Sequence, residues 1–149
     1  RGLGRASSGW LLTPMITNIN HIAVVVSDID AALDFWRDAL GLTLTRVEEV
    51  PAQKAEVAFL SLGQGEIELV RPTTDESGAM RLLAKRGPGI HHIALEVDDL
   101  AMFLARLKGK GVRLINETPV AAAGGRMAAF VHPESASGVL VELYESTHE

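Results

Sequence analysis

The chain has no cysteine. Disulfides are therefore impossible, and a metal site would have to use His, Asp, Glu, Gln or carbonyl donors. Such donors favour a catalytic ion with open positions over a closed structural one. A basic excess is also missing. With 14 Lys and Arg against 19 Asp and Glu, the net charge of −5 leaves no electrostatic footprint for nucleic acid. No apolar run is long enough to span a bilayer. Neither nucleic acid nor a membrane is an expected partner. The Gly/Ser/Arg-rich start lacks the continuous apolar segment of a signal peptide. Residues 1–17 read as a flexible N-terminal extension or cloning remnant, with Met15 a candidate natural start and a cytoplasmic location expected.

What is present suffices for one core. Hydrophobic residues make up 47% of the 149 positions, so 18–147 reads as a single domain that needs no metal merely to fold.

The informative feature is a repeat. His21-Ile22-Ala23 recurs as His92-Ile93-Ala94, and each copy is followed by a Glu inside an apolar run. Glu68 follows His21 by 47 residues, and Glu142 follows His92 by 50. The intervening patterns match. Residues 19–26 read as a β-branched strand. Ser27-Asp28-Ile29-Asp30 reads as a helix start with Ser27 as N-cap, and apolar positions at helical spacing then run to Leu40, with Gly41 as the stop. Strands follow at 42–47, 57–62 and 66–70, with a loop over 48–55 and a tight turn at Gly63-Gln64-Gly65. The second half repeats this order: strand 91–97, a helix from Asp98-Asp99 to Gly111, strand 112–115, a Gly-rich loop over 121–126, then the runs MAAFVHP and GVLVELY. Module one spans about 18–72 and module two about 90–147. A linking helix within 75–89 is expected outside the sheets. The fold class is α+β: two tandem βαβββ modules forming a curved, barrel-like mixed sheet with helices outside.

Successive strand residues face opposite sides. Glu68 thus shares a face with Glu66 and Val70, and Glu142 with Leu140 and Tyr144. A carboxylate in such apolar surroundings is costly unless paired or bound to metal. For one Glu alone, a structural ion pair is the better reading. For two at matching positions, each with a matching His, one divalent metal held by His21, Glu68, His92 and Glu142 is the better reading. The module alignment selects His92 over His91, which alternation turns to the opposite face in a packing role. His132, beside Pro133, reads as a loop residue, and His148 as a tail residue.

These residues resemble the vicinal-oxygen-chelate (glyoxalase) superfamily, and within it the methylmalonyl-CoA epimerase family. The resemblance rests on NHIAVVV, the EEVP loop with Gln53, VAFLSLG, IELVRPT, AMRLLAKRGPGIHHIALEVDD, KGVRLINETP, GGRMAAFVHP and GVLVELYES, in order over about 19–145. It implies His21, Glu68, His92 and Glu142 as metal ligands, with Glu142 doubling as a base. The implied reaction removes and returns the α-proton of methylmalonyl-CoA through a metal-stabilised enolate. A second base is harder to place. Some relatives carry an acid where this chain has Val57, and Glu56 is the neighbouring candidate; Glu48 and Glu49 fit a solvated turn better. Gln53, Arg126, Lys85 and Arg86 are candidates for the acyl-CoA substrate. The expected ion is cobalt first, with manganese, zinc or nickel as alternatives, and the resemblance implies a homodimer. Two other functions stay open: a glyoxalase I-like lactoylglutathione lyase, and a non-catalytic binding protein on the same scaffold.

Overall fold

The computed structural model describes residues 15–146; residues 1–14 of the expected extension and His148 lie outside the described residues, whereas Ile16 and Thr17, expected in that extension, open the first strand. Eight strands form one sheet: β1 (Ile16–Val25), β2 (Thr43–Val50), β3 (Ala55–Leu62), β4 (Gly65–Pro72), β5 (Gly89–Val97), β6 (Val120–Ala121), β7 (Met127–Val131) and β8 (Val141–Glu145). Their order is β2-β3-β4-β1-β5-β8-β7-β6, a mixed sheet curled into a half-barrel. Each module runs its own first strand parallel to its last, β1 with β4 and β5 with β8. The modules meet where β1 and β5 pair antiparallel, with Ile22 opposite Ile93. A pseudo-two-fold axis through that pair relates the two halves.

Register places the functional side chains. His21 lies opposite Ala94, and Ala23 opposite His92. Glu68 stands beside Ala23, and Glu142 beside Ala94. Residues level with one another in a sheet share a face, so all four polar side chains project into the concave side. Ala23 and Ala94 are fully buried. A small residue opposite each imidazole leaves room for it, which explains the third letter of the His-Ile-Ala repeat.

The convex side carries two helices. α1 begins at Ile29–Leu33 and continues through a π-type turn, in which Leu40 N–H donates to the Phe35 carbonyl at 2.9 Å. Ile29 and Leu33 pack on Ala58, Leu60, Ile67 and Leu69. Its N-cap is Asp28, not Ser27: the Asp28 carboxylate accepts from Ala31 N–H at 3.2 Å. α3 (Leu100–Gly109), capped by Asp99, buries Leu100, Phe103 and Leu104 against Ala129, Val131 and Leu143.

The linking helix α2 (Gly78–Arg86) behaves differently. Its Ala79, Leu82 and Leu83 pack against Ala23, Val25, Val57, Phe59 and Val70. Those residues alternate with the convex set, so α2 lies over the inner face rather than outside the sheets. Two strand boundaries also differ from expectation. β2 runs on to Val50, so Glu48 and Glu49 belong to a strand and the turn shrinks to Pro51–Gln53 plus Lys54, whose φ is +52°. The strand expected at 112–115 is reduced to one bridge, Leu114 to Val131, and pairing resumes only at β6. Between them Ile115 and Asn116 both donate to the Phe130 carbonyl, and the Asn116 side chain accepts from Phe130 N–H. Pro119 lacks a ladder donor, which helps keep the strand broken.

Candidate metal centre

His21, Glu68, His92 and Glu142 are each no more than 5% exposed. Three of them converge. His21 Nε2 lies 3.1 Å from His92 Nε2. Glu142 Oε1 is 3.3 Å from the first and 3.0 Å from the second. Glu68 does not join this triangle. Its Oε2 lies 3.2 Å from the other ring nitrogen of His21, Nδ1.

The triangle is suited to a cation. His21 Nδ1 lies 2.6 Å from the Asn20 amide oxygen, and His92 Nδ1 lies 2.8 Å from His91 Nδ1. With a proton on each Nδ1, both Nε2 lone pairs point at the Glu142 oxygen. That oxygen is buried and accepts no well-formed hydrogen bond. Three buried lone-pair donors facing one another repel unless a positive charge lies between them. Bonds of about 2.1 Å place cis donors of an octahedral ion about 3.0 Å apart, which matches the observed edges. A His-His-Glu group of this kind can hold a divalent metal.

The charges are strongly coupled. Burial works against ionisation of Glu142, but its contacts with His21 and His92 prevail and hold the carboxyl at about 2. Burial lifts the Glu68 carboxyl to about 7, with His21 pulling the other way. Burial alone would lower the His21 imidazole; Glu142 and Glu68 outweigh it and raise it. Burial, then the neighbouring His92, lowers His91 to about 4. Burial, then the charge on Glu142, pushes the Tyr144 phenol up.

Two hollows open beside the cluster. One of about 400 Å³ is polar and reaches Glu68, with Arg46, Arg126 and Tyr144 among its walls. The other, of about 210 Å³, lies under α2 and touches Gln53, Ser77, His91, His92 and Phe130.

The remaining sequence candidates divide. Gln53 reaches the smaller hollow. Arg126 reaches the larger one, but its guanidinium already donates to the Glu145 carbonyl at 2.9 Å and to Glu96 at 3.3 Å. Lys85 is exposed, and Arg86 donates to the Ile90 carbonyl at 2.6 Å. Glu56 is not brought to the cluster. Strand alternation turns it to the convex face, where it pairs with Arg71 at 3.0 Å, so its nomination as a base is not supported by the geometry. Glu48, level with Val57, faces the concave side and pairs with Arg46 at 3.0 Å.

His91 is the correction of most consequence. Alternation should aim it away from His92, yet the two rings touch. The β1–β5 ladder slips by one residue between Ile19 and His21, and again between Ala23 and Val24. The extra residues at these two slips are Asn20 and His91, each just before a ligand-candidate histidine; a third slip, at Thr17, lies near the start of β1. A bulge of this type re-aims a side chain, and both are turned onto the ring of the following histidine.

Fold and centre together define a class. The chain belongs to the Glyoxalase/Bleomycin resistance protein/Dioxygenase superfamily, whose pattern matches residues 20–130. Within that superfamily its similarity runs to methylmalonyl-CoA epimerases. It is 35% identical to the mitochondrial methylmalonyl-CoA epimerase of Mus musculus, covering 86% of this chain and 72% of that protein. The methylmalonyl-CoA epimerase of Mycobacterium tuberculosis superposes with a TM-score of 0.83 at 35% identity, covering 89% of this chain and 90% of that one. A methylmalonyl-CoA epimerase in complex with methylmalonyl-CoA and NH4+ superposes with a TM-score of 0.83 at 32% identity, covering 89% and 96%.

Proposed function

We propose that this chain is a divalent-metal-dependent methylmalonyl-CoA epimerase. The observation that carries the reading is the buried triangle of His21, His92 and Glu142, set in a cup whose relatives act on that thioester. In this reading Glu68, whose carboxylate lies on the Nδ1 side of His21, would be the fourth donor. Cobalt is the proposed ion, with manganese, zinc or nickel able to substitute.

Epimerisation needs one proton removed from the α-carbon and one returned to the opposite face. A cation held at this site supplies Lewis-acid stabilisation of the charge that develops on the thioester oxygen. The chain itself must handle the protons. Glu142 and Glu68 are related by the pseudo-two-fold axis and flank the imidazoles from either side. Each face of a planar enolate therefore meets a carboxyl group, and Glu68 takes the role for which Glu56 is unsuited. The two hollows would take the acyl head. Gln53 would contact it from the smaller hollow and Arg126 from the larger, with Lys85 and Arg86 near the coenzyme phosphates. A homodimer and a cytoplasmic setting complete the proposal. Among the described residues, no helix is long and apolar enough to cross a membrane.

The test follows one epimer of methylmalonyl-CoA in D2O by NMR, with metal-stripped and Co2+-reloaded protein. Metal-dependent α-deuteration with loss of stereochemical purity is expected. No exchange with cobalt, manganese, zinc or nickel would reject the reading.

A further inference from the structure

The two β-bulges give the centre a device that none of its ligands accounts for. Each bulge inserts one residue immediately before a ligand histidine, Asn20 before His21 and His91 before His92. Each inserted side chain meets the Nδ1 of that histidine, at 2.6 and 2.8 Å. The sequences differ, amide against imidazole, but position and contact are the same across the pseudo-two-fold axis. Such a coincidence is not expected of two unrelated packing residues.

A neutral imidazole carries its proton on one nitrogen or the other, and only the bare nitrogen can bind a cation. An acceptor at Nδ1 draws the proton there and leaves Nε2 free. Asn20 can do this only if its oxygen, and not its NH2, faces His21. Two further residues set that orientation. Asn20 Nδ2 donates to Glu96 Oε2 at 2.7 Å, and Arg126 Nη2 donates to the same oxygen at 3.3 Å. Arg126 is itself held by the Glu145 carbonyl at 2.9 Å and lies over the Tyr144 ring. Losing Glu96 would free the amide to flip and offer His21 a donor, reversing the tautomer. At the other bulge, His91 can accept at Nδ1 only as the neutral Nε2–H form.

We propose that Asn20 and His91 are paired positioning residues, placed by symmetry-related β-bulges to hold His21 and His92 in the Nδ1–H tautomer, with Glu96 and Arg126 fixing the Asn20 amide. The proposal rests on the metal reading of the His21, His92 and Glu142 cluster. It also explains why Arg126, at the wall of the larger hollow, is already engaged.

The test uses the full-length chain with Co2+ as probe and two readouts. Affinity is read from the visible bands of Co2+ during titration. Histidine tautomers are read in the metal-free protein by long-range 15N–1H correlation. His91→Ala should weaken Co2+ binding about 10- to 100-fold, the range typical of groups that orient a ligand, and should move His92 off the Nδ1–H form. His91→Asn, which gives module two the residue of module one, should bring affinity back to within about threefold of the parent. Asn20→Ala should likewise weaken Co2+ binding, by about 10-fold or more. Glu96→Ala should behave like Asn20→Ala. If His91→Ala does not fold, His91→Phe keeps a ring while removing the acceptor. Folded His91→Ala and Asn20→Ala proteins with parental tautomers and parental Co2+ affinity would overturn the proposal. A parent that binds no Co2+ would sink the metal reading instead, and the tautomer spectrum would still judge the two bulge residues by themselves.

Discussion

The two modules share a backbone plan and use it unequally. Module one has a complete four-stranded unit with an eight-residue second strand, whereas module two keeps only a bridge at Leu114 and the two residues of β6 in that place. The inequality reaches the centre. Glu142 of module two touches the Nε2 of both histidines, while Glu68 of module one touches the Nδ1 of its own. At similar burial, the contacts with both imidazoles hold the Glu142 carboxyl at about 2, whereas burial lifts that of Glu68 to about 7. Equivalent positions in a duplicated fold thus acquire different chemistry through the contacts each carboxylate makes.

The strongest way to break this comparison is Glu142→Gln. It removes the negative charge shared by both imidazoles and the carboxylate base, so Co2+ binding should weaken and α-proton exchange should fall at least about 100-fold; parental exchange in D2O would contradict the assignment. Glu68→Gln should do something different in kind. With one face of the α-carbon still served by Glu142, deuterium should enter with retained configuration, while inversion falls about 100-fold, the low end for a lost general acid or base. Equal loss of exchange and inversion would make the two carboxylates interchangeable.

The third prediction concerns pH and the metal-free protein. Glu68 binds its proton more tightly folded than unfolded, so its contribution to stability is lost as pH rises from about 4.5 to about 7. Glu142 has the opposite sign, and its contribution is lost as pH falls from about 4.5 to about 2. In denaturant titrations the Glu68 contribution should make parent stability decline by on the order of 3 kcal/mol relative to Glu68→Gln between pH 4.5 and 8, since His21 and His91 titrate in both proteins. Glu68→Gln should remove that decline, and a parental slope in the variant would refute the account. The smallest effect is expected at Gly65. A Cβ there would lie 3.0 Å from the Ile19 carbonyl and 3.1 Å from that of Asn20, so Gly65→Ala should press on the first bulge at a cost of about 1–3 kcal/mol. A thermal melt unchanged from the parent would show that the bulge yields freely.

Much of this was legible in the residues because it depends on period two. The His-Ile-Ala repeat and the apolar runs around Glu68 and Glu142 carry their faces with them, so the strands and the gathering of four polar side chains could be read directly. What depends on register between distant strands could not. The bulges at Asn20 and His91 exist only relative to the partner ladder, and alternation within one strand puts His91 on the wrong face. Asp28 rather than Ser27 caps α1 because one residue of phase decides which oxygen reaches Ala31. α2 has an ordinary amphipathic pattern, and nothing in it specifies which side of the sheet its apolar face will cover. Residues 112–115 have the composition of a strand, but Asn116 competes for the Phe130 backbone and Pro119 offers no donor.

The broken strand of module two bears on self-association. The sheet ends on one side at β2, eight residues long, and on the other at β6, only two residues long. Strand addition between molecules needs an unpaired row of backbone donors and acceptors. Growth into a fibre needs such a row at both ends, so that every added molecule presents a fresh template. This molecule offers one docking edge and one blunt edge. Pairing β2 with β2 of another copy would use up the long edge that the described residues present, leaving an assembly that terminates at two.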